Sequence, residues 1–71
     1  MQWQFDRDDE TLILETRYDS KEAKFVVVVD YPDGSRRTDR FVSVEEFHSW
    51  LVRFRRILKQ QHWARRSKPQ A

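Results

Sequence analysis

Apolar and polar residues alternate along the first half of the chain, and the spacing changes to a helical one after Val42. Residues 11–19, TLILETRYD, put Leu12, Leu14 and Tyr18 on one side and Ile13, Glu15 and Arg17 on the other. That is the pattern of a strand with one buried face. Residues 24–31, KFVVVVDY, form an unbroken β-branched run of the kind found in central strands. Residues 19–23, DSKEA, which begin on the last residue of the first strand, read as a polar hairpin loop. A third strand is predicted from Ser35 to about Val42. Near the start, Gln2-Trp3-Gln4-Phe5 also alternates, which predicts either a short edge strand or a segment that lays Trp3 and Phe5 on the core; residues 6–10 then turn.

The offset between the second and third strands rests on Pro32-Asp33-Gly34. A two-residue Asp33-Gly34 turn would leave Pro32 in a flanking pair that needs an N–H, which Pro lacks. A three-residue loop places Pro32 at the first central position of a type I turn and gives Gly34 the left-handed bulge position. Tyr31 then faces Ser35, Asp30 faces Arg36, Val28 faces Thr38, Val26 faces Arg40, and Phe25 faces Phe41. One sheet face carries Leu12, Leu14, Tyr18, Phe25, Val27, Val29, Tyr31 and Phe41. The other carries Ile13, Glu15, Arg17, Val26, Val28, Asp30, Arg36, Thr38 and Arg40. Arg37 falls on the core side, its guanidinium reaching out at the sheet edge.

Ser43-Val44-Glu45-Glu46 opens a helix as a capping box, with Val42 and Phe47 spaced for a hydrophobic staple. Phe47, Trp50, Leu51, Phe54, Ile57, Leu58 and Gln61 continue at helical spacing. The helix is predicted to end between Gln61 and Arg66. The fold class that results is α+β: a three-stranded antiparallel meander, with or without a short N-terminal edge strand, packed on one C-terminal helix. Residues 1–64 form one β-β-β-α domain, and residues 65–71 a flexible basic tail.

Composition narrows the function more than the fold. Seventy-one residues allow one small core, and an aromatic content of 14% with three Trp supports that core rather than disorder. The absence of Cys excludes disulfides and zinc–thiolate staples and fits a reducing compartment, hence a cytoplasmic location. No run of apolar residues is long enough for a membrane span, and the acidic N-terminal stretch lacks a signal-peptide pattern. Net charge is only +2, but residues 1–35 carry a net −5 and residues 36–71 a net +7. This asymmetry points to a polyanionic partner, or to halves that neutralise each other once folded.

The order of strand, Asp-Gly turn, basic strand ending in Phe, and SVEEFHSWL opening a helix resembles the arm-type DNA-binding domain of phage tyrosine integrases. It is also similar to the plant ethylene-response DNA-binding domain, and a small bacterial domain of the same fold is the alternative match. The resemblance covers residues 11 to about 60. It implies that a three-stranded sheet enters the DNA major groove while the helix braces it from behind. By position, the sheet contacts would fall on Arg17, Arg36, Thr38 and Arg40.

These residues, with Arg65, Arg66 and Lys68 of the tail, are the candidate nucleic-acid contacts. Against them stands an ordinary solvated surface, in which Arg36 pairs with Asp30 and Arg17 with Glu15. The helix cations Arg53, Arg55, Arg56 and Lys59 read as a solvated face whose charge suits the helix C-terminus. Ile13, Val26 and Val28 lie open on the same sheet face by register, which suggests that something covers them: another protein, a second copy, or thymine methyls. His48 and His62 lack HxxxH or HExxH spacing, so no metal site is expected. No nucleophile context and no glycine-rich phosphate loop exist in a chain with one Gly. The reading is a non-enzymatic binding module without cofactor, metal or evident small-molecule substrate. Its partner is DNA or another polyanion; the alternative is protein interaction or self-association.

Overall fold

The computed structural model describes residues 1–66. Its elements are β1 (Gln2–Arg7), β2 (Glu10–Asp19), β3 (Lys24–Asp30), β4 (Arg36–Phe41), α1 (Val44–Gln60) and β5 (Ala64–Arg65). The strands form one antiparallel sheet in the order β4-β3-β2-β1-β5. The fold is α+β, with the single helix over one face. The meander β2-β3-β4 follows the alternation of the sequence, and the N-terminal segment is a full strand. The two-residue β5 pairs with part of its outer side, Arg65 opposite Phe5 and Ala64 opposite Asp6.

The register of β3 and β4 follows from the three-residue loop. Gly34 takes φ 91°, and its N–H donates to the Tyr31 carbonyl at 3.0 Å while Tyr31 N–H donates to Ser35 O at 2.9 Å. Phe25 pairs with Phe41, Val26 with Arg40, Val28 with Thr38 and Asp30 with Arg36. Only a residue without Cβ adopts that φ at no steric cost.

The helix starts as its sequence predicts, with two differences. Ser43 is the N-cap, its Oγ accepting from Glu45 N–H at 3.1 Å and Glu46 N–H at 3.4 Å. Among the described residues, no bond returns from the Glu46 carboxylate to Ser43 N–H, so only half of the capping box forms. Nor does the staple form, since Val42 is 73% exposed. Phe47 stacks instead on Phe25, ring centroids 5.0 Å apart, because the sheet offers a larger aromatic surface than the loop.

The helix stops at the near end of the expected range. Gln61 is the C-cap, His62 takes φ 67°, His62 N–H donates to Lys59 O at 3.1 Å and Trp63 N–H to Leu58 O at 2.9 Å. This is a Schellman motif built on a histidine rather than a glycine. It turns the chain back so that Trp63 meets the core beside Leu58.

The core is one layer. Phe5, Leu12, Leu14, Val27 and Val29 on the sheet meet Trp50, Phe54, Leu58 and Trp63. An aromatic line runs along the contact, Phe41 to Trp50 at 6.2 Å and Trp50 to Phe54 at 4.7 Å between centroids. Ile57 and Tyr18, expected inside, sit at the margin and are about half exposed. Tyr18 lies near the end of β2, and Ile57 lies on the flank of the buried Trp50–Phe54–Leu58 line, where a single helix is too narrow to cover a five-stranded sheet.

Candidate nucleic-acid interface

The face of the sheet away from the helix is built in cross-strand rows fixed by the register. One row is Arg40–Val26–Arg17. The next is Thr38–Val28–Glu15–Gln2, and the third Arg36–Asp30–Ile13–Gln4. Lys24 lies opposite Asp19 on the same face, diagonal to both Arg17 and Arg40. Every arginine expected on this face is there, but they do not act as one group.

Arg36 is held by Asp30, Nε to Oδ1 at 2.6 Å with a second bond at 3.3 Å. The Asp30 carboxylate, through that bond and its charge, keeps the guanidinium even more firmly protonated than usual. Arg36 is therefore already neutralised. Arg17, Lys24 and Arg40 have no carboxylate within ion-pair distance among the described residues. The Arg17–Glu15 pair expected from sequence does not form among the described residues. The cationic part of the face is its corner near the β2–β3 turn: Arg17, Lys24 and Arg40 around Val26. Lys24 was missed in the sequence, although its parity with Val26 places it there.

Two expectations are corrected. Val26 and Val28 do not lie open; they are 1% and 8% exposed, and Ile13 is half-buried. A short side chain on the middle strand has long neighbours on both sides, with Cβ atoms about 5 Å away. For Val26 these are Arg17 and Arg40, whose aliphatic stems roof it while their charges stay in water. The apolar surface that motivated a docking partner is thus supplied with cover from within.

The tail is the second correction. Arg65 and Arg66 do not begin a flexible segment. Arg65 lies in β5, and Arg66 N–H donates to Gln4 O at 2.9 Å. The Arg66 guanidinium grips Asp6, Nε to Oδ2 at 2.7 Å and Nη2 to Oδ1 at 2.6 Å, and bonds the Gln4 side chain as well. Those contacts, with the Thr11 hydroxyl, hold the Asp6 carboxyl below the usual carboxylate range. The Schellman turn points the chain at the edge of β1, where open backbone groups capture it. Lys68 and the rest of the expected tail lie outside the described residues.

On the helix side, Arg37 bonds Asp39 at 2.8 Å and sits 5.7 Å from the Trp50 ring centre. Arg7 lies 4.5 Å over Trp63 and bonds Glu10 and the Gln61 carbonyl, both at 3.1 Å. A cleft of about 520 Å³ opens between them, floored by Leu12, Phe54 and Trp63. Its two guanidinium groups are already matched by protein oxygens. Arg53, Arg55, Arg56 and Lys59 are exposed on the outer side of α1. Among the described residues, no helix is long and apolar enough to cross a membrane, and no three His, Asp or Glu side chains gather as metal ligands. His62 is the left-handed residue of the helix stop, a structural position. No family model matches the chain, and comparison with curated proteins and with solved structures finds no match either.

Proposed function

We propose that this protein is a non-enzymatic module that holds the phosphate backbone of duplex nucleic acid on the open face of its sheet. One observation carries the reading: Arg17 and Arg40 flank Val26 in a single cross-strand row, with Lys24 diagonal to both and no acidic partner in ion-pair distance among the described residues. Three cations gathered on one face can neutralise backbone phosphates, and Thr38 adds a hydroxyl next to Arg40. Arg36 contributes less because Asp30 competes with any phosphate for it.

The duplex is favoured over a single strand by the faces of the aromatics. Trp3, Phe5, Tyr18, Phe25, Tyr31 and Phe41 all share the helix side by register, so this face offers no stacking platform for unpaired bases among the described residues. A sheet applied to DNA and braced from behind by a helix is also what the resemblance to integrase arm-type domains implies. A reducing, cytoplasmic setting belongs to the same reading.

The test is duplex titration over a range of salt. Each phosphate contact adds about 0.9 to the slope of log K against log salt. Arg17→Ala with Arg40→Ala is expected to weaken binding and reduce that slope by about 2. Absence of binding at low ionic strength, or a slope the double variant leaves unchanged, refutes the proposal.

A further inference from the structure

β4 ends the sheet, and its outer side is unpaired among the described residues. The bond from Tyr31 N–H to Ser35 O sets the alternation along the β3–β4 ladder. Hydrogen-bonded and non-hydrogen-bonded pairs alternate in an antiparallel ladder. Arg37, Asp39 and Phe41 therefore turn their backbone groups inward to Val29, Val27 and Phe25. Arg36, Thr38 and Arg40 turn theirs outward, and all three are exposed. Their side chains stand together on the open face, so the free N–H and C=O groups belong to the same residues that carry the charge.

We propose that β4 accepts an extended acidic segment of a partner protein, added antiparallel as a further strand of the sheet. Strand addition to an exposed edge takes its affinity from main-chain bonds and its selectivity from alternate side chains. Here the outward-bonded positions ask for an acidic residue opposite Arg40, a small hydroxyl residue opposite Thr38, and a second acid opposite Arg36. The acid facing Arg40 matters most, because Asp30 already serves Arg36.

Cations on an edge commonly guard against unwanted pairing. This set guards selectively. A second copy docked in register about Thr38 would set Arg36 against Arg40 of its mate twice. Its two Arg37–Asp39 pairings would replace a bond each chain already makes at 2.8 Å. Self-pairing gains nothing electrostatically, whereas an acidic strand gains chiefly at Arg40. The site shares Arg40 with the cationic corner proposed for nucleic acid, but it is read through the backbone of β4 and needs neither Arg17 nor Lys24.

The test uses the whole protein and a capped Glu-Val-Thr-Val-Glu peptide, followed by residue-resolved amide hydrogen exchange. Exchange at Arg36, Thr38 and Arg40 is expected to slow at least tenfold at saturation, while Arg37 and Asp39, already in the ladder, stay unchanged. A peptide N-methylated at the pairing positions should lose this protection, and moving the two acids to adjacent positions should weaken binding about fivefold. Arg17→Ala with Lys24→Ala should weaken duplex binding and leave the peptide's affinity intact. The proposal is overturned if millimolar peptide leaves the three amides unprotected, or if a lysine-containing peptide protects them equally. It is also overturned if protection rises with protein concentration alone, which would make the occupant a second copy. Loss of peptide binding in the Arg17/Lys24 variant would show the peptide merely occupying the polyanion corner.

Discussion

Replacing Trp63 with Ala separates a free C-terminal tail from one that completes the core. Trp63 is 8% exposed, lies among Phe5, Leu12, Phe54 and Leu58 in the core cluster, and carries the Arg7 guanidinium 4.5 Å above its ring. A buried Trp removes roughly 150–250 Å² from water. At about 25 cal/mol per Å² this amounts to about 4–6 kcal/mol. A compact unfolded chain and the methyl retained in Ala reduce it to about 3–4 kcal/mol, in line with the ~3–5 kcal/mol typical of Trp→Ala in cores. A domain of 71 residues has about 4–10 kcal/mol of stability in all. Trp63→Ala is therefore expected to remove a third or more of it, and Trp63→Phe, which keeps most of the ring, about 1–1.5 kcal/mol. The assay is urea unfolding followed by far-UV circular dichroism, with equal m-values checking that the denatured states are comparable. A loss below about 1 kcal/mol for Trp63→Ala, the level of an ordinary surface change, would refute the C-terminal packing described above.

Further outcomes follow from single features of the fold. His62→Gly should raise stability by about 0.5–1 kcal/mol in the same assay, because glycine relieves the left-handed φ of 67° at the helix stop; a loss would mean the imidazole makes contacts that outweigh the strain. Val26→Ala should cost about 2 kcal/mol, since the side chain is covered although it lies on the face away from the helix; no change in unfolding midpoint would mean that the arginine stems do not cover it. Asp6 has a folded-state pKa below its ordinary 3.8, so its contribution is present above the unfolded value and is lost as pH falls through the folded one. Amide protection of Arg66, whose N–H meets Gln4 O, should therefore decline below pH 3.8, and Asp6→Asn should remove that dependence; protection that holds unchanged to pH 2 would contradict the Arg66 clasp.

What could be read in advance was local. The three-residue loop at Pro32-Asp33-Gly34 needs only the φ restriction of proline and the freedom of glycine, and it sets the whole β3–β4 register. Period-2 alternation then assigns each residue of β2, β3 and β4 to a face, and Ser43 announces the helix start from its own side chain. The helix stop was harder to see because the signal expected there, a glycine, is replaced by His62. The sign that was available is Trp63, an apolar residue five positions beyond Leu58, the spacing at which a Schellman turn brings two hydrophobic side chains together. With that stop unread, residues 65 and 66 looked like the start of a basic tail.

The candidate site divides in the same way. Membership of the open face follows from parity alone and includes Lys24. Which cations remain available does not, because pairing depends on reach between strands and on the path of segments distant in the chain. Arg36 meets Asp30 across one hairpin, whereas Arg66 meets Asp6 across nearly the full length of the chain. Val26 and Val28 looked open by register, yet lie covered because their neighbours are long and their own side chains short.

By itself, the order of residues determined the α+β class, the strand offset and the two faces of the sheet, since each rests on φ, on side-chain parity or on a cap within a few residues. The tertiary structure alone decided that the chain returns to pair with β1, that Arg66 and Arg36 are spent on carboxylates, and that Arg17, Lys24 and Arg40 stand as a corner without ion-pair partners among the described residues. Those outcomes depend on distances between segments far apart in the chain, and such distances exist only once the core has brought the segments together.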